Sequence, residues 1–187
     1  MKKIFLTFVF VLLGLTSYSQ FIFDNTYKDE KSRTWTTISG TYAVLEIEGT
    51  VDELYQLVVN WVNETYNDPE EVIISQTDSK FLKIQGAKEN LFNSAMASWD
   101  ARYRLSFKFK DNKVKMEINN LEYYIAPSKY TIMSGWLSKN KIATLKKNGK
   151  PYSQGTKDLE AITVYFNMLA NSLINFKGNP NMQDDDW

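Results

Sequence analysis

The chain has 187 residues, 22 Lys and Arg against 22 Asp and Glu, and neither histidine nor cysteine. That balance gives no global attraction to nucleic acid or to an anionic membrane surface. Without His or Cys there is no Ser-His-Asp triad, thiol nucleophile, disulfide or ordinary zinc ligand set, so acid–base work would fall to carboxylates, Lys or Tyr.

Met1-Lys2-Lys3 is a short basic start, Ile4 to Leu15 is a nearly unbroken apolar run, and Ser17-Tyr18-Ser19-Gln20 supplies small residues. The pattern predicts a signal peptide over 1–19, cleaved between Ser19 and Gln20. The run is shorter than the roughly 20 residues that a membrane-spanning helix needs. No Cys follows it for acylation, and no later segment is apolar enough to span. The expected product is exported, with no integral membrane span after cleavage. Loss of Lys2 and Lys3 leaves 20 basic residues against 22 acidic, a net charge near −2. About 168 residues suit one domain with a sizeable core.

Residues 20–40 read as a polar, flexible N-terminal arm, with an edge strand near Arg33 to Ile38. Thr41 to Glu48 is a strand stopped by Gly49. Thr50-Val51-Asp52-Glu53 is a capping box that opens a helix, and Leu54, Leu57, Val58, Trp61 and Thr65 give it one apolar stripe. Asp68-Pro69 ends it. Glu71 to Thr77 and Lys80 to Ala87 form a hairpin about Asp78-Ser79. Asn90 to Ser98 is a loop or a short helical turn.

From Ala101 to Lys110 the pattern is strictly alternating: Tyr103, Leu105, Phe107 and Phe109 against Arg102, Arg104, Ser106, Lys108 and Lys110. This is a strand with one buried face and one basic face. Asp111-Asn112 turns the chain, and Val114, Met116 and Ile118 continue on the return strand. Leu121, Tyr123 and Ile125 resume one position out of phase, which predicts a bulge near Asn119-Asn120. Residues 127–155 form a basic insert with six lysines and no acid. Thr156 is expected to cap a last helix whose stripe is Leu159, Ile162, Phe166, Leu169 and Leu173, widened by Val164, Met168 and Ile174. Residues 179–187 are an acidic tail. Together 41–178 read as a single α+β domain: a curved antiparallel sheet of about five strands, in the order β-α-β-β-β-β-α, with both helices packed on one face.

The run Gly49-Thr50-Val51-Asp52-Glu53-Leu54-Tyr55 through Trp61, followed by Asp68-Pro69-Glu70-Glu71-Val72-Ile73 and a hairpin ending in Gly86, resembles a family of exported Gram-negative proteins. That family is a domain of unknown function with a TATA-box-binding-protein-like (TBP-like) fold. The resemblance covers roughly 40 to 125, and the last helix fits it. It implies a periplasmic or extracellular place in a Gram-negative bacterium. It supplies no functional residues, because the family has no assigned activity, and the basic insert has no counterpart in its pattern.

Three surfaces are candidates for binding. Trp99, Tyr103, Phe107, Phe109 and Tyr123 either line a groove for an apolar or sugar ligand or are simply core. Arg102, Arg104, Lys108 and Lys110, with Lys113 and Lys115 on the next strand, form either a cationic surface for an anionic glycan, lipid phosphate or acidic protein, or a solvated sheet face. Trp136 and Tyr152, among the insert's lysines, either belong to a loop that closes on a ligand or decorate a connection. The carboxylate pairs Glu46/Glu48, Glu70/Glu71 and Asp52/Glu53 have the chemistry of a glycosidase pair, but strand alternation turns the first to solvent and capping explains the last. Asp184-Asp185-Asp186 is a weak calcium candidate. No catalytic residue, metal or cofactor is implied. The first reading is therefore a non-enzymatic envelope module that binds an envelope protein, a glycan or an apolar ligand, with tentative ligand contacts Arg102, Arg104, Lys108, Lys110, Trp136 and Tyr152. A carboxylate- or Tyr/Lys-dependent hydrolase and a structural envelope component are the alternatives.

Overall fold

The computed structural model describes residues 20–23, 26–28, 34–94, 97–129, 133–146 and 148–176. The expected signal peptide 1–19 and acidic tail 179–187 lie outside the described residues, as does Lys147 of the insert.

The first helix, α1 (Val51–Thr65), starts where the capping box places it. Thr50 Oγ1 accepts from the Glu53 N–H, and Glu53 Oε2 accepts from the Thr50 N–H at 2.8 Å. Two of the helix's orphan donors are thereby satisfied. The buried stripe is Leu54, Tyr55, Val58, Trp61 and Val62. It is rotated from the expected one: Leu57 is half-buried and Thr65 exposed, while Tyr55 turns inward onto Phe109, ring centroids 5.5 Å apart. Asp68-Pro69 ends α1 and also begins a short helix, α2 (Pro69–Val72), whose N-terminus the Asp68 side chain caps. The strand expected from Glu71 is therefore shortened to Ile73–Thr77.

The strands are β1 (Thr26–Lys28), β2 (Thr34–Thr37), β3 (Tyr42–Glu46), β4 (Ile73–Thr77), β5 (Phe81–Asn93), β6 (Ser98–Lys110), β7 (Lys113–Ile125), β8 (Gly135–Ser138) and β9 (Lys141–Leu145). The main sheet is antiparallel, ordered β3-β7-β6-β5-β4, and β8 pairs with the far half of β7. Five of its six strands are the expected ones; β8 comes from the insert. Of Asn90 to Ser98, the described residues Asn90 to Asn93 and Ser98 are strand, because β5 continues through a bulge to pair Phe92 with Trp99. The bulge expected in β7 is present: Arg104 pairs with Asn120 and Leu105 with Ile118, leaving Asn119 over. It returns Leu121 to the inner face.

The last helix, α3 (Ser153–Phe176), begins three residues before the expected cap at Thr156. Tyr152 donates its N–H to the Thr144 carbonyl of β9, which fixes the chain's entry into the helix. Gly155 then lies against the Ala143 carbonyl, an approach that leaves no room for a Cβ. Tyr165 and Ala170 are buried in α3, whereas Val164 and Met168, expected to widen its stripe, are 65% and 54% exposed.

Both helices cover the same sheet face. Trp61 of α1 packs edge-on against Phe107, and Phe166 of α3 against Tyr103, both inward residues of β6. The Trp61 indole N–H donates to Ser172 Oγ of α3 at 3.0 Å, tying one helix to the other. Residues 20–40, read as an arm, contribute to this core. Phe21 is buried against Phe166 and donates its N–H to Asn167 Oδ1, and Ile38 is fully buried. A second sheet, β1-β2-β9, joins this segment to the insert. The insert thus holds two paired strands: β8 folds back on the preceding strand β7, and β9 pairs with the distant β2.

Candidate functional site

The aromatic candidates divide. Tyr103, Phe107 and Phe109 are buried beneath the helices, so the groove reading gives way to the core reading for them. Trp99 and Tyr123 are half-buried beside them. Tyr103 sits at the centre of a chain of three phenols: its hydroxyl lies 3.0 Å from that of Tyr66 and 2.8 Å from that of Tyr165. Gly86, directly opposite Tyr103 in the register, makes this possible, since a Cβ there would strike the Tyr103 hydroxyl and ring. Desolvation raises the pKa of all three phenols above the ordinary tyrosine value.

Among the described residues, no helix lies on the opposite face of the main sheet. The register places Lys83 on it from β5, Arg102, Arg104, Lys108 and Lys110 from β6, and Lys113 and Lys115 from β7. Glu46, Glu117 and Glu122 share it, and alternation adds Asp100. Among the described residues, seven cations thus meet four carboxylates on one face of a chain that is neutral as a whole.

The face has two ends. At one end, Trp136 of β8 lies beside Tyr124 of β7, ring centroids 5.3 Å apart, and the Arg102 guanidinium sits 4.6 Å above the Trp136 ring. Arg102 also pairs with Glu122 at 2.7 Å. Asn140 Nδ2 donates to Asn120 Oδ1 nearby at 2.8 Å. Trp136 and Tyr124 remain 37% and 36% exposed, leaving ring surface open to solvent. At the other end, Lys108 lies opposite Lys115 and Lys110 opposite Lys113. Lys115 is held by Glu117 at 2.7 Å and rests over the Tyr42 ring, and Lys113 approaches Glu46 at 3.8 Å. Lys83, Lys108 and Lys110 make no ion pair among the described residues. Between the ends, Arg104 Nε donates to Gln85 Oε1 at 3.0 Å.

Of the six sequence-read contacts, Arg102, Arg104, Lys108, Lys110 and Trp136 fall on this face. Tyr152 does not: it is fixed between β9 and the start of α3, on the helix side. Tyr124 and Lys83 were missed as site residues. Both were within reach of the alternation, Lys83 between buried Leu82 and Ile84, and Tyr124 one step beyond inward Tyr123. The approach of Trp136 to Arg102 depends on the β7–β8 pairing, which no local pattern announces.

A second polar cluster lies on the helix side. Lys139 Nζ pairs with the buried Asp158 carboxylate at 2.7 Å and lies over the rings of Phe92 and Tyr123. Gln154 donates to the other Asp158 oxygen at 2.8 Å. Asp158 borders a shallow cleft of about 330 Å³, with Leu91, Asn93, Ser94, Lys157 and Ala161. Both its oxygens are engaged within the protein, so the cluster clamps the insert to α3. Among the described residues no group of three or more acidic side chains is placed to hold a metal ion, and no helix is long and apolar enough to cross a membrane.

A sheet roofed on one face by two helices and bare on the other defines an α+β protein with a TBP-like fold. Residues 43–124 match the model of a family described as a domain of unknown function (DUF4468) with TBP-like fold. The family that the sequence resembles is the one whose model this segment matches. A DUF4468 family protein from Bacteroides ovatus is 11% identical with a TM-score of 0.58, covering 85% of this chain and 94% of that one. A TBP-like protein from Parabacteroides distasonis is 13% identical with a TM-score of 0.56, covering 74% and 91%. At such identities the likeness is one of fold. Its coverage exceeds 43–124, so elements beyond the matched segment are shared as well. No curated protein matches the chain.

Proposed function

We propose that the protein is an exported binding module whose bare sheet face takes an anionic ligand. The observation that carries this reading is the segregation of charge: in a chain with no net charge, the described residues place an excess of three cations on the main-sheet face that no described helix covers. Like charges directly opposite across strands, as in Lys108/Lys115 and Lys110/Lys113, destabilise a sheet. An anion shared between them relieves that repulsion. Export is supported by the leader pattern and by the way the chain enters the fold. Phe21, two residues after the expected cleavage point, is already core.

The test has two parts. Mass mapping of the protein recovered from envelope and medium fractions should give an N-terminus at Gln20; recovery of uncleaved chain from the cytoplasm would overturn the export reading. Titration of the purified protein with polyglutamate should show binding that weakens steeply with salt and is lost when Lys108 and Lys110 are both changed to Glu. Unchanged binding by that variant would move the ligand off this face.

A further inference from the structure

Resting on the reading of an anion-binding face, we infer that the ligand is an acidic polysaccharide, with Trp136 and Tyr124 as the platform for a sugar ring. Trp136 has Arg102 above its ring, Tyr124 beside it, and Glu122 on the Arg102 guanidinium. An aromatic ring flanked by a guanidinium donor and a carboxylate acceptor matches a sugar: C–H bonds meet the ring, and hydroxyls meet both kinds of polar partner. The carboxylate discriminates. Glu122 accepts hydrogen bonds from sugar hydroxyls, which the phosphate backbone of DNA does not offer.

The second part is the track that leads away from the platform. Arg102, Arg104, Lys108 and Lys110 occupy alternate positions of one strand, interrupted only at Ser106. At about 3.4 Å per residue, cations two apart repeat at about 7 Å and the track runs about 27 Å. An extended chain of sugars with a carboxylate on each ring, or on alternate rings, fits such spaced charge. Glu117 and Glu46 sit along the neighbouring strands rather than on the track. The face therefore offers a row of four cations along β6, with Asp100 at its platform end and Lys83, Lys113 and Lys115 on the flanking strands, and such a row suits a single linear polymer better than a flat anionic bilayer.

Titration calorimetry of the purified protein with three charge-matched polymers tests the inference: oligogalacturonate, polyglutamate and a short DNA duplex. The expected order puts oligogalacturonate tightest. Trp136→Ala should weaken oligogalacturonate by about tenfold, the worth of one aromatic stacking contact, and leave polyglutamate unchanged. Trp136→Phe keeps a ring and should recover most of the loss, which separates stacking from damage to β8. Equal affinity for oligogalacturonate and polyglutamate, or equal losses for both on Trp136→Ala, overturns the saccharide platform while leaving the anionic face intact. DNA binding tighter than either overturns it in favour of a nucleic acid. Failure of all three polymers to bind at low salt overturns the underlying reading together with this one.

Discussion

The two faces of the main sheet are made by the same strands, yet they obey opposite rules. On the inner face β6 presents Tyr103, Leu105, Phe107 and Phe109, each buried and each fitted to a particular neighbour. On the outer face, one residue away in every case, it presents Arg102, Arg104, Lys108 and Lys110, which keep solvent contact and tolerate like charges across the strand. The inner face is specified by shape and the outer by charge. Shape errors should therefore cost stability and leave binding intact in whatever still folds, and charge errors should do the reverse.

The largest expected effect needs no substitution. The folded pKa values of Tyr66, Tyr103 and Tyr165 lie above that of an unfolded tyrosine, 10.0, because burial disfavours the phenolate. The folded state holds its phenol protons where the unfolded chain loses them. The stabilisation is complete below pH 10 and falls as pH rises beyond it. Each such group adds a slope approaching about 1.4 kcal/mol per pH unit. Denaturant melts between pH 8 and 11 should show a steep alkaline loss, and tyrosinate absorbance from these three should appear only on unfolding. Their titration in the native protein near pH 10 would mean the inner face is open to water.

Next come two substitutions on that face. Trp61→Ala should cost about 3–5 kcal/mol in denaturant melts, the range for a large buried aromatic. The lost indole also leaves Ser172 of α3 without its donor, so the helix pair loosens. A loss under about 1 kcal/mol would contradict the packing of α1. Gly86→Ala should cost about 1–3 kcal/mol by overpacking against Tyr103. The double variant Gly86→Ala/Tyr103→Phe should recover part of this, since the phenolic oxygen is among the atoms struck.

How far the sequence reached follows the same division. The inner face of β5 to β7 is legible because burial imposes a period of two that survives even the Asn119 bulge. The capping box of α1 is legible because both its partners lie within four residues. What escaped is non-local. Phe21 opens a run of only three apolar residues and Ile38 stands among Thr, Ser and Gly, and only packing on distant elements, such as Phe166 for Phe21, makes them core. β8 and β9 are too short, at four and five residues, to show a periodicity of their own, and the partner of β9, β2, lies far from it in the chain. The site divides in the same way: its lysines follow from alternation, whereas the Trp136–Arg102 contact is tertiary and Tyr152 shares with Trp136 only the basic insert.

The smallest expected effect is on the outer face, and its sign is informative. Lys108→Glu replaces a like-charge cross-strand pair with an opposite-charge pair facing Lys115. Such a pair contributes roughly 0.2–1 kcal/mol in the stabilising direction, against a background of about 0.5 kcal/mol for surface changes. The variant should thus melt at or slightly above the parent while binding polyanions more weakly. If Lys108 serves only to keep the sheet soluble, the charge reversal leaves affinity untouched and the gain in stability stands alone. If the lysine is there for a ligand, stability and affinity move in opposite directions. A marked loss of stability would place Lys108 in a structural network instead, and the separation between a face built for shape and a face built for charge would fail at that position.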